Sequence, residues 1–309
     1  MSFRDKLKKI DAITTGYDYF RQGWLKIQIM VSPSRFIERK FKKKFRRKID
    51  WNNLQTFNEK LNWMKLYWQD PLLTRCIDKY TVRSYVEECG LGGVLVKLYG
   101  VYDSIDDVKF EELPDKFALK MNNGSGCNIL CSDKSKLDIP SIKKQFRREF
   151  KRNYYYTYCE WGYKNIVPKV ICEELIETQD NKPPKDYKIF CFNGEPEYIF
   201  VASDRINHKT KFDFYTKEWK WIPVKNHYPN AGDVLTKPDA LDSMLDIARR
   251  LSKPFPQVRV DLYYENGQIY FGELTFYHFS GFTPFDPDSF DYEVGKKFEL
   301  PKSYIKESN

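Results

Sequence analysis

Apolar and polar positions alternate most clearly near the C-terminus, in Val258-Arg-Val-Asp-Leu-Tyr-Tyr-Glu-Asn-Gly-Gln-Ile-Tyr-Phe-Gly-Glu-Leu-Thr275. Val, Ile, Tyr and Phe dominate both arms, and Asn266-Gly267 between them signals a tight hairpin turn. Similar patterning predicts strands over 94–102, 116–121, 128–131 and 167–177. A second hairpin is predicted from 186–192 to 197–203 about Asn193-Gly194. Helical periodicity marks 142–158 and 238–251, with one further helix over about 70–85. Thr56 as N-cap, with Glu59 three residues on, opens another helix through a capping box. Residues 1–70 read as mostly helical. Helices and antiparallel hairpins thus come in blocks, which favours α+β over a doubly wound parallel sheet.

The register of the C-terminal hairpin decides whether its charged residues can cooperate, because side chains alternate faces along a strand. A two-residue loop pairs Asp261 with Gly272 and sends Glu273 to the opposite face. A three-residue loop, 265–267, pairs Arg259 with Glu273 and Asp261 with Phe271, so that Arg259, Asp261 and Glu273 share one face. Two carboxylates so close repel unless a cation lies between them, and Mg²⁺ carrying a polyphosphate is the usual one. The alternative is an ordinary hairpin with a salt-bridged outer face.

Composition narrows the class. Among 309 residues, 41% are hydrophobic and 17% aromatic, with 22 Tyr and 23 Phe, which argues against disorder. The seven Cys are scattered without a CxxC and only three His occur, so neither a zinc site nor a disulfide framework is indicated. Reduced thiols point to the cytoplasm. No apolar run has the length of a membrane span, and no signal-peptide core is seen. The net charge of +9 is unevenly placed: residues 35–48 hold nine basic residues against one acid, with Phe36, Ile37, Phe41 and Phe45 on one helical face. That segment is either a solvated helix packed through its Phe stripe or a surface for anionic lipid or another polyanion. Nucleic acid is not expected, since no nucleic-acid motif accompanies the charge.

Several short stretches could handle phosphate. Lys120 ends a strand and runs into Asn123-Gly-Ser-Gly126, where small residues let backbone N–H groups approach an anion. The spacing is not that of a Walker loop, and a plain hairpin turn is the bland alternative. Asp78-Lys79 and Arg83 fall on the predicted 70–85 helix, where positions four apart share a face. Glu173-Glu-Leu-Ile176 ends an apolar strand, where an acid could meet a ribose hydroxyl and backbone groups an adenine edge. Asp186 and Lys188 share a face of the next strand.

Taken in order, Asp78-Lys79, Ala118-Leu-Lys120 with its loop, Glu173-Glu-Leu-Ile176, Arg259-Val-Asp261 and Gly272-Glu273 resemble the ATP-grasp superfamily. More narrowly, Thr56-Phe-Asn-Glu-Lys-Leu-Asn-Trp63, Asp186-Tyr-Lys-Ile-Phe-Cys-Phe-Asn-Gly194, Gly272-Glu-Leu-Thr-Phe276 and Pro284-Phe-Asp-Pro287 resemble the teichuronopeptide-biosynthesis (TupA-like) family of surface-polysaccharide gene clusters. The likeness runs over about 50–301. It implies an α+β ATP-grasp fold, with two lobes holding a nucleotide between antiparallel sheets. The segments would be a helical N-terminal region at 1–70, a small lobe with its preceding segment at 71–185, and a metal-binding lobe at 186–309.

By resemblance, Lys79 and Lys120 bind the α- and β-phosphates of ATP, and Gly124, Ser125 and Gly126 close over them. Glu173, Glu174 and the backbone near Ile176 hold the adenosine; Lys188, read from its strand face alone, would contact nucleotide or substrate or merely pair with a neighbour. Asp261 and Glu273 coordinate Mg²⁺, while Arg259 stabilises the transferred phosphoryl group or the acyl phosphate. Thr275 departs from the family pattern, standing where many such ligases have Asn. The implied activity is ADP-forming ligation of a carboxylate and an amine through an acyl phosphate. Its partners would be an amino acid and an acidic glycan or nucleotide-sugar, with peripheral membrane contact through 35–48 added by that segment's charge. Arg147, Arg148, Lys151, Arg152 and the loop 277–281 are the candidate acid-substrate holders. Glycosyl transfer, with Asp286-Pro-Asp288 as its acidic motif, and a non-enzymatic polyanion adaptor are the competing functions.

Overall fold

The computed structural model describes residues 16, 20–178, 183–204 and 210–301. Most of the helical expectation for 1–19, and the last eight residues of the 186–309 segment, lie outside that set. Two antiparallel sheets organise the rest. Strands β1 (Leu98–Tyr102), β2 (Phe117–Met121), β3 (Asn128–Cys131) and β4 (Val170–Glu173) form the smaller, in the order β1-β4-β2-β3. The larger contains β5 (Asp186–Phe192), β6 (Glu195–Ser203), β7 (Lys211–Thr216), β8 (Trp221–Ile222), β9 (Gln257–Glu265) and β10 (Gln268–Thr275), in the order β10-β9-β5-β6-β7-β8.

Each sheet hides one face behind an amphipathic helix. In the smaller sheet Phe117, Leu119 and Met121 pack with Ile142 and Phe146 of helix α5 (Ile139–Phe150), leaving Lys120 and Glu173 on the opposite face. In the larger sheet Val258, Val260 and Leu262 share a core with Met244, Ala248 and Leu251 of α7 (Leu241–Ser252). Its other face carries the charged residues at the β10-β9-β5 end and an aromatic floor of Phe190, Phe200 and Phe214 beside them. Side-chain alternation along three paired strands produces this split.

After a helix through residues 20–31, four more lie between residue 33 and the smaller sheet: α1 (Pro33–Phe45), α2 (Phe57–Tyr67), α3 (Pro71–Ile77) and α4 (Val82–Glu88). The capping box of α2 forms as its sequence predicts, with Thr56 and Glu59 satisfying each other's backbone. The single helix predicted over 70–85 is instead broken at Asp78–Thr81, where Asp78 accepts the Tyr80 N–H at 2.8 Å in a turn. Basic helix 142–158 is likewise two pieces, α5 and the short α6 (Tyr155–Tyr158). Phe57, Leu61, Leu73 and Ile77 belong to the core of the larger sheet. None of the seven cysteines is bridged.

Helix α8 (Ser289–Lys297) ties back to α2 through Asp291, which accepts the Asn58 N–H at 3.0 Å and its amide at 2.9 Å. Burial pushes the Asp291 carboxyl up to about 6 from its ordinary 3.8, against the pull of the Asn58 bonds. A raised carboxyl binds its proton more tightly in the folded chain, so its contribution is greatest below pH 3.8 and is lost as pH rises through 6. Asp291→Asn keeps an acceptor without a charge to bury. The unfolding free energy of this variant, relative to the parent, should therefore improve by on the order of 2 kcal/mol between pH 4 and pH 7, as read by denaturant titration at both values.

Candidate active site

The C-terminal hairpin adopts neither register that the sequence offers. Asn266 (φ 52°) and Gly267 (φ 78°) make the tight two-residue turn, so Gln268 pairs with Glu265. A bulge at Gly272 then adds one residue, and beyond it Glu273 lies opposite Asp261 and Thr275 opposite Arg259. The bulge does what the three-residue loop would have done. It returns Glu273 to the face of Arg259 and Asp261. A Cβ at Gly272 would stand 2.9 Å from the Asp261 carbonyl oxygen, which explains glycine there.

Cations surround the acid pair. Arg259 donates from Nε to Asp261 Oδ1 and from Nη2 to Oδ2, both at 2.7 Å. Lys188, opposite Asp261 on β5, reaches Asp261 Oδ2 at 2.5 Å and Asp186 Oδ2 at 2.6 Å. Lys79 stands 3.5 Å from Glu273, and Thr275 Oγ1 lies 3.0 Å from Arg259 Nη2 and 3.3 Å from Glu273 Oε1. Burial pushes Asp261 up against the pull of Arg259 and Lys188. For Glu273 burial acts the same way, but Lys79, Lys188 and Arg259 outweigh it and hold the carboxyl at about 2. The Glu273 side chain nonetheless keeps 38% exposure where that of Asp261 keeps 2%, so Glu273 is the open face of the pair.

Lys79 joins the two sheets. It lies in the break between α3 and α4 and not on a helical face with Arg83. Its N–H donates to the Asn122 carbonyl at 2.9 Å and its Nζ to the Gly124 carbonyl at 2.7 Å. The 122–126 loop takes left-handed backbone at Gly124 (φ 69°) and Gly126 (φ 88°). A Cβ on Gly124 would collide with the Tyr154 ring at 2.0 Å, and the Tyr154 hydroxyl donates to the Ser125 carbonyl at 3.0 Å. Ser125 and Gly126 are exposed, whereas Asn123 is buried with its Oδ1 unbonded. Glu173 is held between Lys120 (2.8 Å) and Arg83 (3.1 Å). Glu174 is exposed, its N–H donating to the Lys97 carbonyl, and Ile176 is half-buried beyond it. Lys79, Lys188, Arg259, Asp261, Glu273 and Thr275 thus form one constellation; Lys120, Arg83 and Glu173 form a second on the smaller sheet.

Over residues 59–299 the sequence matches the family described as TupA-like ATP-grasp. The chain belongs to that family. Similar solved structures include D-alanine–D-alanine ligase from Bacillus anthracis, at 15% identity and TM-score 0.41 over 66% of this chain and 58% of that one. An L-amino acid ligase from Bacillus licheniformis follows at 12% and 0.46, over 75% and 53%. The ATP-grasp ligase PsnB with its minimal precursor stands at 12% and 0.40, over 68% and 54%. The match spans little more than half the length of each of those chains. No curated protein matches this sequence.

The donor chemistry of this ATP-grasp chain fits a magnesium polyphosphate. Among the described residues no group of three or more His, Cys, Asp and Glu forms a metal cage of its own. Mg²⁺ is commonly held by one or two carboxylates together with phosphate oxygens and water, and two opposed acids beside Lys79, Lys188 and Arg259 offer that arrangement.

Sequence reasoning missed the support behind Arg259. His278 is buried, its Nδ1 2.7 Å from Arg259 Nη1 and its Nε2 2.9 Å from Asn226 Oδ1. Arg259 can only donate, so Nδ1 accepts and Nε2–H donates to Asn226. Burial, with Arg259 and Lys188 close by, keeps the imidazole well below its ordinary value and neutral. The following turn is strained, with Phe279 at φ 43° and Ser280 at φ 57°. Lys65 Nζ donates to the Ser280 carbonyl at 2.5 Å and Asn62 to that of Gly281 at 2.7 Å. A polar stripe at Asn58, Asn62 and Lys65, spaced i, i+4, i+7 along one face of α2, was the available signal. Of the candidate acid-substrate holders, Arg147 is paired with Asp106 at 2.6 Å and Arg152 lies over the Tyr154 ring.

Gly272→Ala should force the strand that carries both acids to shift. Its unfolding free energy should fall by about 1–3 kcal/mol, measured by denaturant titration; an unchanged value would mean that the bulge tolerates a side chain.

Proposed function

We propose that this chain is an ATP- and Mg²⁺-dependent carboxylate–amine ligase that forms ADP. The observation that carries this is the single constellation in which Asp261 and Glu273 face each other across β9 and β10 with Arg259, Lys188 and Lys79 around them. Asp261 and Glu273, with Thr275 beside them, would hold the metal. Mg²⁺ supplies charge neutralisation and Lewis acidity to the phosphoryl group. Lys79 and Lys188, now bound to carboxylates, would turn to phosphate oxygens when the metal takes those acids over. Lys120 would do the same from the smaller sheet, letting go of Glu173. The Gly124–Gly126 loop offers backbone N–H groups to the phosphates, and Glu173, Glu174 and the backbone near Ile176 would face the adenosine.

Arg259 is fixed by Asp261, Thr275 and His278, so its guanidinium is oriented before substrate arrives. Such preorganised charge lowers the barrier to phosphoryl transfer onto a carboxylate oxygen, and the resulting acyl phosphate is then attacked by an amine with release of phosphate. No side-chain nucleophile is needed. We assign the carboxylate to a uronic acid of a surface-polysaccharide precursor and the amine to an amino acid. The likeness to families of surface-polysaccharide clusters supports this reading, and a cytoplasmic location goes with it as part of the proposal.

The test is ADP release from ATP with Mg²⁺ across a panel of uronic acids and amino acids. Asp261→Asn and Glu273→Gln should each lower the rate at least about a hundredfold while circular dichroism and the unfolding midpoint show a folded chain. Undiminished release in both variants would sink the assignment.

A further inference from the structure

The helix through residues 20–31 has two apolar faces. Leu25 and Ile29 turn inward and pack with Phe36, Ile37 and Phe41 of α1. Phe20, Trp24, Ile27 and Val31, spaced i, i+4, i+7 and i+11, fall on the opposite side and are 74%, 55%, 54% and 76% exposed. A helix at the surface of a globular chain normally turns polar residues to that side, and a continuous apolar stripe there marks an interaction surface.

Charge says what covers it. Residues 20–48 carry eleven Lys and Arg against the single acid Glu38, a net +10, so the rest of this +9 chain sums to −1. On α1, Arg35, Arg39, Lys42 and Lys43 are exposed opposite the buried Phe36, Ile37 and Phe41. Arg39 donates to Gln28 at 2.5 Å and ties the two helices together. Both pack their inner faces on one cluster, so the apolar stripe and the basic face look away from the same body.

We propose that this face rests on an anionic bilayer, with Phe20, Trp24, Ile27 and Val31 in the headgroup and acyl-chain boundary and the basic residues of α1 on lipid phosphates. A second copy is the poorer occupant, because it would bring one +10 surface against another. An uncharged apolar partner would leave the basic face unused. An anionic lipid surface satisfies both halves, and Trp favours that boundary. Among the described residues no helix is long and apolar enough to cross a membrane, so the contact is peripheral. It is independent of the ligase assignment, since the stripe shares no residue with the site.

Sedimentation of the full chain with vesicles of phosphatidylcholine alone, or with phosphatidylglycerol added, tests this. The parent should bind the anionic vesicles and not the neutral ones, and raised salt should weaken the binding. Trp24→Ser/Ile27→Ser should reduce affinity about tenfold or more, and Lys42→Glu/Lys43→Glu by a similar factor. Both variants should keep the parent's unfolding midpoint, because the replaced side chains are exposed. Absence of binding, binding that ignores lipid charge, or undiminished binding by the Trp24/Ile27 variant would overturn the proposal. So would a dimer, seen by sedimentation velocity without vesicles, that this variant dissociates; the stripe would then belong to a second copy.

Discussion

Two carboxylates opposite one another on neighbouring strands are the constraint around which this molecule is arranged. Cross-strand partners sit about 5 Å apart. At an effective dielectric constant near 20, two like charges at that distance repel by about 3 kcal/mol. Asp261 and Glu273 can both stay ionised only with cations in contact, and the fold brings those from three separate places. Arg259 comes from the same strand, Lys188 from the next, and Lys79 from the break between two helices far earlier in the chain. With Asp186 included, three acids meet three bases. The cluster is therefore internally balanced and leaves Glu273 open to one side.

Much of the remaining architecture holds that cluster in position. The bulge at Gly272 sets the face of Glu273, and the helix break at Asp78 brings Lys79 within reach of both sheets. Behind Arg259, the neutral His278 and Asn226 fix the direction of the guanidinium. The next turn keeps its strained backbone because Asn62 and Lys65 of α2 hold its carbonyls. The helix that opens with the capping box thus serves the site from behind, without touching the acids itself.

How much of this was legible in the sequence follows physical range. The capping box, the Asn266-Gly267 turn, the buried face of α1 and the α+β blocks are local, and the residues that specify them lie within one turn or one hairpin. The shared face of Arg259, Asp261 and Glu273 is one of two outcomes that the sequence leaves open, and there it depends on a three-residue loop that does not form. A bulge costs one residue and has no composition signal beyond a glycine, so the three-residue loop looked like the route to the same geometry. Asp78-Lys79 has helical neighbours and a helical pattern around it, but the Asp78 side chain accepts the Tyr80 amide and ends the helix there. The roles of His278, Asn226 and Lys65 were out of reach. Each depends on partners separated by tens to hundreds of positions, and nothing local records which buried polar groups will meet.

A magnesium-bound nucleotide is the ligand proposed for the acid pair and its cations. Thermal unfolding with ATP, Mg²⁺, both together, or UDP with Mg²⁺ tests it directly, because a ligand that binds only the folded chain raises the midpoint by mass action. The predicted result is a rise with ATP and Mg²⁺ together that neither gives alone and that UDP does not reproduce. Equal rises with UDP, or none with any nucleotide, would contradict it.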